Sequence, residues 1–312
     1  LTYLTFTAPR RDDDAFASYK NRSKAELQNM DLNPSSSFSD SITSTLYSKH
    51  PRTLRIKADM VDKMNYDKIL SMYQDRFKDA SDFTFILVGN VDVEAVKPLI
   101  ESYLGSLPSI NRKETFKDNH IAMRKGICKN EFIRQQETPK VNNFICYSGT
   151  CKYNLRNEIL MSMTDQLLNF IYTEKVREDE GGTYGVYPMG QLIKYPTEKA
   201  VLQIFFNTAP DKQEKLIKII YDEAEAFAKN GPDEASLNKV KEYMLKKHSE
   251  DLKENGYWLN SIDEYLYTGI DPVKDYEQII NSITPKDVQQ FANELLKQKN
   301  QITVSMISPE KK

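Results

Sequence analysis

Histidine is scarce in this chain of 312 residues: His50, His120 and His248 are its full complement, at least 70 residues apart. The motif His-x-x-Glu-His, which sets two imidazoles on one helix face with a carboxylate between them, therefore does not occur. His50, before Pro51, is expected in a turn and His120 in a linker. His248, beside Glu250 and Asp251, is expected on a solvated helix face. Cysteine is as rare. Cys128, Cys146 and Cys151 cannot all pair, and the spacing from Cys146 to Cys151 is not the Cys-x-x-Cys of redox or structural zinc sites, so ordinary half-buried thiols are expected. No apolar run approaches the ~20 residues that span a bilayer. Glycine loops of the dinucleotide or phosphate-binding type and the Gly-x-Ser-x-Gly elbow of hydrolases are missing. Charge of one sign is missing too. The net charge is −2 with both signs interspersed, which excludes a basic face for nucleic acid or a polybasic patch for anionic lipid. The stretch Leu1–Thr7 carries no basic-then-apolar leader pattern.

What is present is ordinary for a water-soluble globular chain: charged residues make up 28% and hydrophobic residues 39%, in a length that accommodates two domains. Helices are expected over 13–29, 39–47, 66–77 and 93–104, with a turn at Asn33–Ser37. The nearly continuous apolar run Phe83–Val88 predicts a strand covered on both faces. Residues 106–120, polar and interrupted by Pro108, form a linker. Beyond it, strands are expected over 124–134, 141–147, 200–206 and 302–307. Helices are expected over 155–176, 211–228 and 234–254, with Asp233 as a cap and Thr284-Pro285 opening a further helix. This is an α+β pattern.

Eleven residues organise the second half. Residues Arg177 to Tyr187 read REDEGGTYGVY. Before them Leu160, Met163, Leu167 and Ile171 recur at steps of three and four, the mark of a helix with one buried face. Gly181 and Gly182 supply a left-handed stop, and alternation from Thr183 to Tyr187 begins a strand. Arg177 then stands at a helix end and Tyr184 just past a tight turn. A guanidinium and a phenol converging there could face a developing oxyanion. Alternatively, Arg177 serves the helix dipole or pairs with Glu174, and Tyr184 merely packs.

Two endings in the chain match. Residues 65–89 align without a gap on residues 284–308 at an offset of 219, pairing Phe83, Phe85 and Leu87 with Ile302, Val304 and Met306. Leu46, Tyr47 and Pro51 match Leu266, Tyr267 and Pro272 with slips of a residue or two. A repeat of this length implies two copies of one domain. The second copy occupies 121–312; the first, 1–105, is expected to lack its front half and to leave a sheet edge exposed.

The stretch from Arg177 to Val186, the run Phe83–Asp92 with Lys97–Ile100 and Tyr103–Pro108 behind it, and the His50-Pro51 turn together resemble the C-terminal, non-zinc half of the pitrilysin (insulinase) family of zinc metallopeptidases. The resemblance implies two copies of the family's α/β domain, a sheet covered by helices, with the first copy truncated. It implies that Arg177 and Tyr184 contact the substrate carbonyl, that Gly181, Gly182 and Thr183 shape its approach, and that this chain binds no metal itself. Zinc and the general base would come from an N-terminal half, in the same polypeptide or a partner chain, with a peptide as substrate. Alone, the chain should be inactive. The alternatives are a non-catalytic scaffold or processing-peptidase-like subunit beside a zinc-bearing partner, and an inactive relative that captures peptides. The resemblance leans to a bacterial, extracytoplasmic (periplasmic) protein.

Overall fold

The computed structural model describes residues 1–178, 183 and 185–309, without the side chains of Arg177 and Glu178. In its first third the chain forms α1 (Thr2–Thr7), α2 (Asp13–Leu32), α3 (Pro34–Leu46), α4 (Ala58–Asp62), α5 (Tyr66–Phe77) and α6 (Val93–Tyr103). Strands β1 (Ile127–Ile133) and β2 (Lys140–Thr150), helix α7 (Leu155–Tyr172), a π-helical turn (Thr173–Glu178) and strands β3 (Val186–Ile193) and β4 (Lys199–Thr208) follow. The chain ends with α8 (Gln213–Asn230), α9 (Glu234–Asp251), α10 (Asn255–Thr268), α11 (Tyr276–Ser282), α12 (Pro285–Leu296) and β5 (Gln301–Ser308). The mixture is α+β. It divides into two compact units, Leu1–Asn33 with Arg55–Asn119, and Pro34–Leu54 with His120–Lys312.

The first unit holds α1, α2, α4, α5 and α6 around a small apolar centre. Phe6 is buried, with its ring 4.9 Å from that of Phe77 and 4.8 Å from that of Phe83. Val61, on α4, is fully buried. The polar stretch after α6 is tied down rather than loose. Asp79 accepts hydrogen bonds from the backbone of Ile110 (3.1 Å) and Arg112 (2.7 Å), and Ala80 donates to the carbonyl of Pro108 (2.7 Å). Burial pushes the Asp79 carboxyl up, but these bonds together with those from Ser81 outweigh it and hold the group well below the usual carboxylate range.

Phe83–Val88 does not form the strand expected of it. The segment pairs with no strand among the described residues, and Phe83, Phe85 and Leu87 are 39%, 36% and 51% exposed. An apolar run is necessary for a buried strand but not sufficient, since a ladder also needs a neighbour. The turn expected at Asn33–Ser37 is also corrected. Only Asn33 is extended, and Pro34 opens α3, where its fixed φ suits the first helical position.

The second unit is built on one five-stranded sheet in the order β1-β5-β2-β4-β3. β1 runs parallel to β5, and the other pairs are antiparallel. Alternate residues feed two cores, as the pleat dictates. Ile145 and Tyr147 of β2 and Leu202, Ile204 and Phe206 of β4 pack beneath α7, α8 and α12, joining Met163, Leu167, Leu216, Ile220 and Val288. On the other face Phe144, Cys146, Val201, Ile302 and Val304 meet α3 through Leu46, Phe38 and Ile42. Asn130 of β1 pins that helix by donating to Ser41 Oγ (2.9 Å) and Thr45 Oγ1 (2.8 Å). All three cysteines are free thiols, and Cys146 is buried.

Helices α1 to α5 repeat in order as α8 to α12. Asp12 caps α2 by accepting from Ala15 (2.9 Å), and Asp233 caps α9 by accepting from Ser236 (2.8 Å). Asn65 caps α5, while Thr284 caps α12 in a reciprocal box with Asp287. Helices α5 and α12 each have 12 residues.

Candidate functional site

Helix α7 and strand β3 position the junction between them. α7 forms because Asn154 caps it, its Oδ1 accepting from Asn157 (2.9 Å), and because Leu160, Met163, Leu167 and Leu168 share a buried face. After Tyr172 the helix widens into the π-helical turn rather than ending, and Arg177 lies in that turn. Turns of this kind are frequent at functional sites. Glu174, in the same turn, sits 3.4 Å from Lys175. Gly181, Gly182 and Tyr184 fall outside the described residues. Thr183 is described. Its hydroxyl donates to the carbonyl of Gly185 (3.0 Å) and accepts from the Gly185 amide (3.2 Å), a local turn that leads into β3. The strand begins at Val186, which is buried, so the alternation seen from Thr183 marks the approach to β3.

β3 is one of the two edge strands of the sheet, paired among the described residues with β4 alone. Its outer residues Tyr187 and Met189 are 60% and 59% exposed. Two contacts hold it against α7. Asp165 accepts a hydrogen bond from the Gly190 amide (3.0 Å), and burial pushes the Asp165 carboxyl up to about 6 against the lowering effect of that bond and one from Gln166. Gly190 has no room for a side chain. A Cβ there would stand 2.4 Å from Met161 Sδ, and Met161 is itself buried. Helix α7 and strand β3 are thus tied together 12 residues before Arg177 and six residues after Tyr184.

Near the other end of α7 lies a cavity of 510 Å³, lined among others by Glu158, His248, Tyr257, Glu264 and Tyr276. Burial, with the neighbouring Glu264 adding to it, pushes Glu158 up to about 7, and Tyr153 donates to Glu264 Oε1 (2.8 Å). His248 is not on the solvated face expected of it. It is buried in the last turn of α9, stacked on Tyr276 with ring centroids 4.4 Å apart, and its Nδ1 lies 3.2 Å from the Tyr257 hydroxyl. An imidazole on a charged helix reads as solvated, whereas here α11 supplies an aromatic cover. His50 is the turn residue expected, its Nδ1 accepting from the Arg52 amide (3.3 Å). Among the described residues no three His, Cys, Asp or Glu side chains form a group that could hold a metal ion.

The family model described as "Peptidase M16 inactive domain" matches residues 63–244. The chain belongs to the M16 peptidase family. It is 21% identical over 295 residues to the "Probable zinc protease PqqL" of Escherichia coli K12, covering 91% of this chain and 31% of that protein. It is 24% identical over 229 residues to the "Zinc protease PQQL-like" of Arabidopsis thaliana, covering 66% of this chain and 23% of that one. The crystal structure of the periplasmic protease PqqL from Escherichia coli superposes with a TM-score of 0.80 at 18% identity, over 96% of this chain and 33% of that one. This M16 chain therefore spans less than a third of the length of the curated relatives it matches. The family has the fold found here, a sheet covered by helices.

Proposed function

We propose that this chain is the substrate-chamber half of a zinc-dependent metalloendopeptidase, and that Arg177 and Tyr184 are its contacts to the scissile region. The observation that carries the reading is the match to the family's inactive domain over residues 63–244, a span that contains the α7–β3 junction and all five candidate residues. In this reading zinc and the general base belong to a separate zinc-bearing half, in the same polypeptide or a partner chain. This chain's own share is electrostatic. The Tyr184 hydroxyl donates to the carbonyl oxygen of the peptide as negative charge gathers there. The Arg177 guanidinium holds a neighbouring backbone carbonyl or shares the charge. Gly181 and Gly182, without side chains, let the peptide backbone come close, and Thr183 fixes the turn through its bonds to Gly185. Donors held in place before the reaction cost no reorganisation as charge develops, so in this reading the positioning of the two donors matters more than added contacts. The reading includes an extracytoplasmic compartment, supported by the likeness to the periplasmic protease PqqL. No helix among the described residues is long and apolar enough to cross a membrane.

Tyr184→Phe, in the chain assembled with its zinc-bearing half, is expected to lower kcat about 10- to 1,000-fold, the scale for losing one oxyanion donor. An unchanged kcat at unchanged zinc content refutes the role. The chain by itself is expected to cleave no peptide.

A further inference from the structure

Helix α10 borders the 510 Å³ cavity beside α7 and is held there by polar groups. Its buried residues are Ser261 and Thr268, while Leu259, Ile262, Tyr265 and Leu266 are exposed. Glu264 lines this cavity together with Glu158 of α7, and it also lines a second cavity of 340 Å³ together with Tyr153. A helix set on two hollows with no large apolar side chain beneath it gains little from hydrophobic burial and depends on its tethers. The central tether joins three groups. The buried Tyr153 donates to Glu264 Oε1 (2.8 Å) and reaches Glu158, whose carboxyl in turn contacts that of Glu264. Two carboxylates in contact repel, so that contact holds only with a proton between them. No basic side chain among the described residues relieves it: Arg156 pairs with Asp287, Lys247 with Asp251, and Lys194 donates to the Thr268 carbonyl. Both ends of α10 are built to bend. Gly256, in its first turn, has neither a positive φ nor a neighbour that would crowd a Cβ, and Gly269 ends the helix at a φ of +72°.

We propose that α10 is a lid on the cavity beside α7, hinged at Gly256 and Gly269 and latched by a proton shared between Glu158 and Glu264, with Tyr153 as the second donor. When the proton leaves to water the two carboxylates push apart, α10 lifts, and the buried Ile159 and Met244 of the cavity wall meet solvent. Burial first, and then the neighbouring Glu264, raise Glu158 from 4.5 to about 7 against the opposing bond from Tyr153. The raised value belongs to the closed state, so the proton favours closure. That advantage is complete below pH 4.5 and is lost as pH rises to about 7. The other titratable groups on the cavity are Tyr243, His248 and Asp251 of α9, Tyr257 of α10 and Tyr276 of α11, and Asp263 stands with Lys194 on the second cavity. Of these residue types only histidine ordinarily titrates near neutrality, which makes His248 the competing trigger. This inference does not depend on Arg177 or Tyr184 having a catalytic role.

Hydrogen–deuterium exchange of the 312-residue protein, corrected for the intrinsic effect of pH on amide exchange, reads the lid directly. Protection of the amides of 259–268 is expected to fall about 10- to 100-fold from pH 5 to pH 7.5 and to level off above that. The chain's single tryptophan, Trp258, stands on α10 and donates to the Leu252 carbonyl (2.8 Å), so acrylamide quenching of its fluorescence is expected to rise over the same range. Glu158→Gln, neutral at every pH, is expected to keep the protection constant within about twofold, and His248→Gln to leave the fall intact. Protection that is flat with pH in the unsubstituted protein, a fall that persists in Glu158→Gln, or one that disappears in His248→Gln overturns the proposal. So does a fall of equal size throughout α9 and α11, which is unfolding of the unit and not the movement of a lid. Should His248→Gln fail to fold, Glu158→Gln decides alone.

Discussion

Asp165→Asn is expected to stabilise the protein above pH 7 and to change little at pH 4. The carboxyl of Asp165 is buried against β3, and its pKa rises from 3.8 in the unfolded chain to about 6 in the fold. A carboxylate with a raised folded pKa binds its proton more tightly in the native state, so stability falls as pH rises from about 4 to about 6 and stays low above it. The gap of about two units corresponds to about 3 kcal/mol if the site were dry. Asp165 is partly exposed, and solvent removes part of that, leaving an expected gain of about 1–2 kcal/mol for the amide. Asparagine keeps an oxygen to accept the 3.0 Å hydrogen bond from Gly190, so the tether between α7 and β3 survives. At pH 4 the native carboxyl is already neutral and nearly isosteric with the amide. Urea unfolding of both proteins at intervals from pH 4 to pH 8 measures the difference directly. Other titrating groups, Glu158 among them, act equally on both proteins and cancel. A destabilised amide variant at pH 7.5, or a difference that does not change with pH, refutes the account of Asp165 as a charge held in an unfavourable place to fasten the edge strand.

Gly190→Ala is expected to cost about 1–3 kcal/mol, because its Cβ meets the buried Met161 side chain at 2.4 Å, and an unshifted urea midpoint would show that Met161 can move aside. Thr284→Ala removes the capping box of α12 and is expected to cost about 1 kcal/mol, read from the same urea curves, while Thr284→Ser should recover most of it.

The sequence pattern was most legible where both the element and its cover lie in the second unit. Leu160, Met163 and Leu167 betrayed α7 because the sheet beneath them is complete, and the alternation of Phe144 and Ile145 betrayed β2 because helices lie on both of its faces. Helix α10 is not legible for the converse reason: Leu259, Ile262 and Leu266 are exposed, and Asn255-Gly256 looks like a loop. The burial of His248 is not legible because its charged neighbours are local and its cover, Tyr276, is 28 residues away. At the candidate site the periodicity gave the end of α7 and the approach to β3. It gave no sign of the π-helical turn, a widening that depends on packing rather than on residue type, nor of the Asp165 tether, whose partner is a backbone amide 25 residues on.

Helices α3 and α10 sharpen the point. Phe38, Ile42, Leu46 and Tyr47 recur 220 residues later as Trp258, Ile262, Leu266 and Tyr267. On α3 this stripe packs against the sheet, with Leu46 buried. On α10 the same positions are 38%, 37%, 52% and 65% exposed. A scattered exposed Leu needs no explanation, but a contiguous apolar stripe at helical spacing does. The stripe on α10 and the run Phe83–Val88 therefore belong together as evidence: each is apolar in a pattern whose counterpart, elsewhere in the same chain, is covered. Hydrophobic periodicity records the burial for which a sequence is built. Where such a pattern remains exposed, and its repeat is buried, the discrepancy concerns the partners of the element and not its identity.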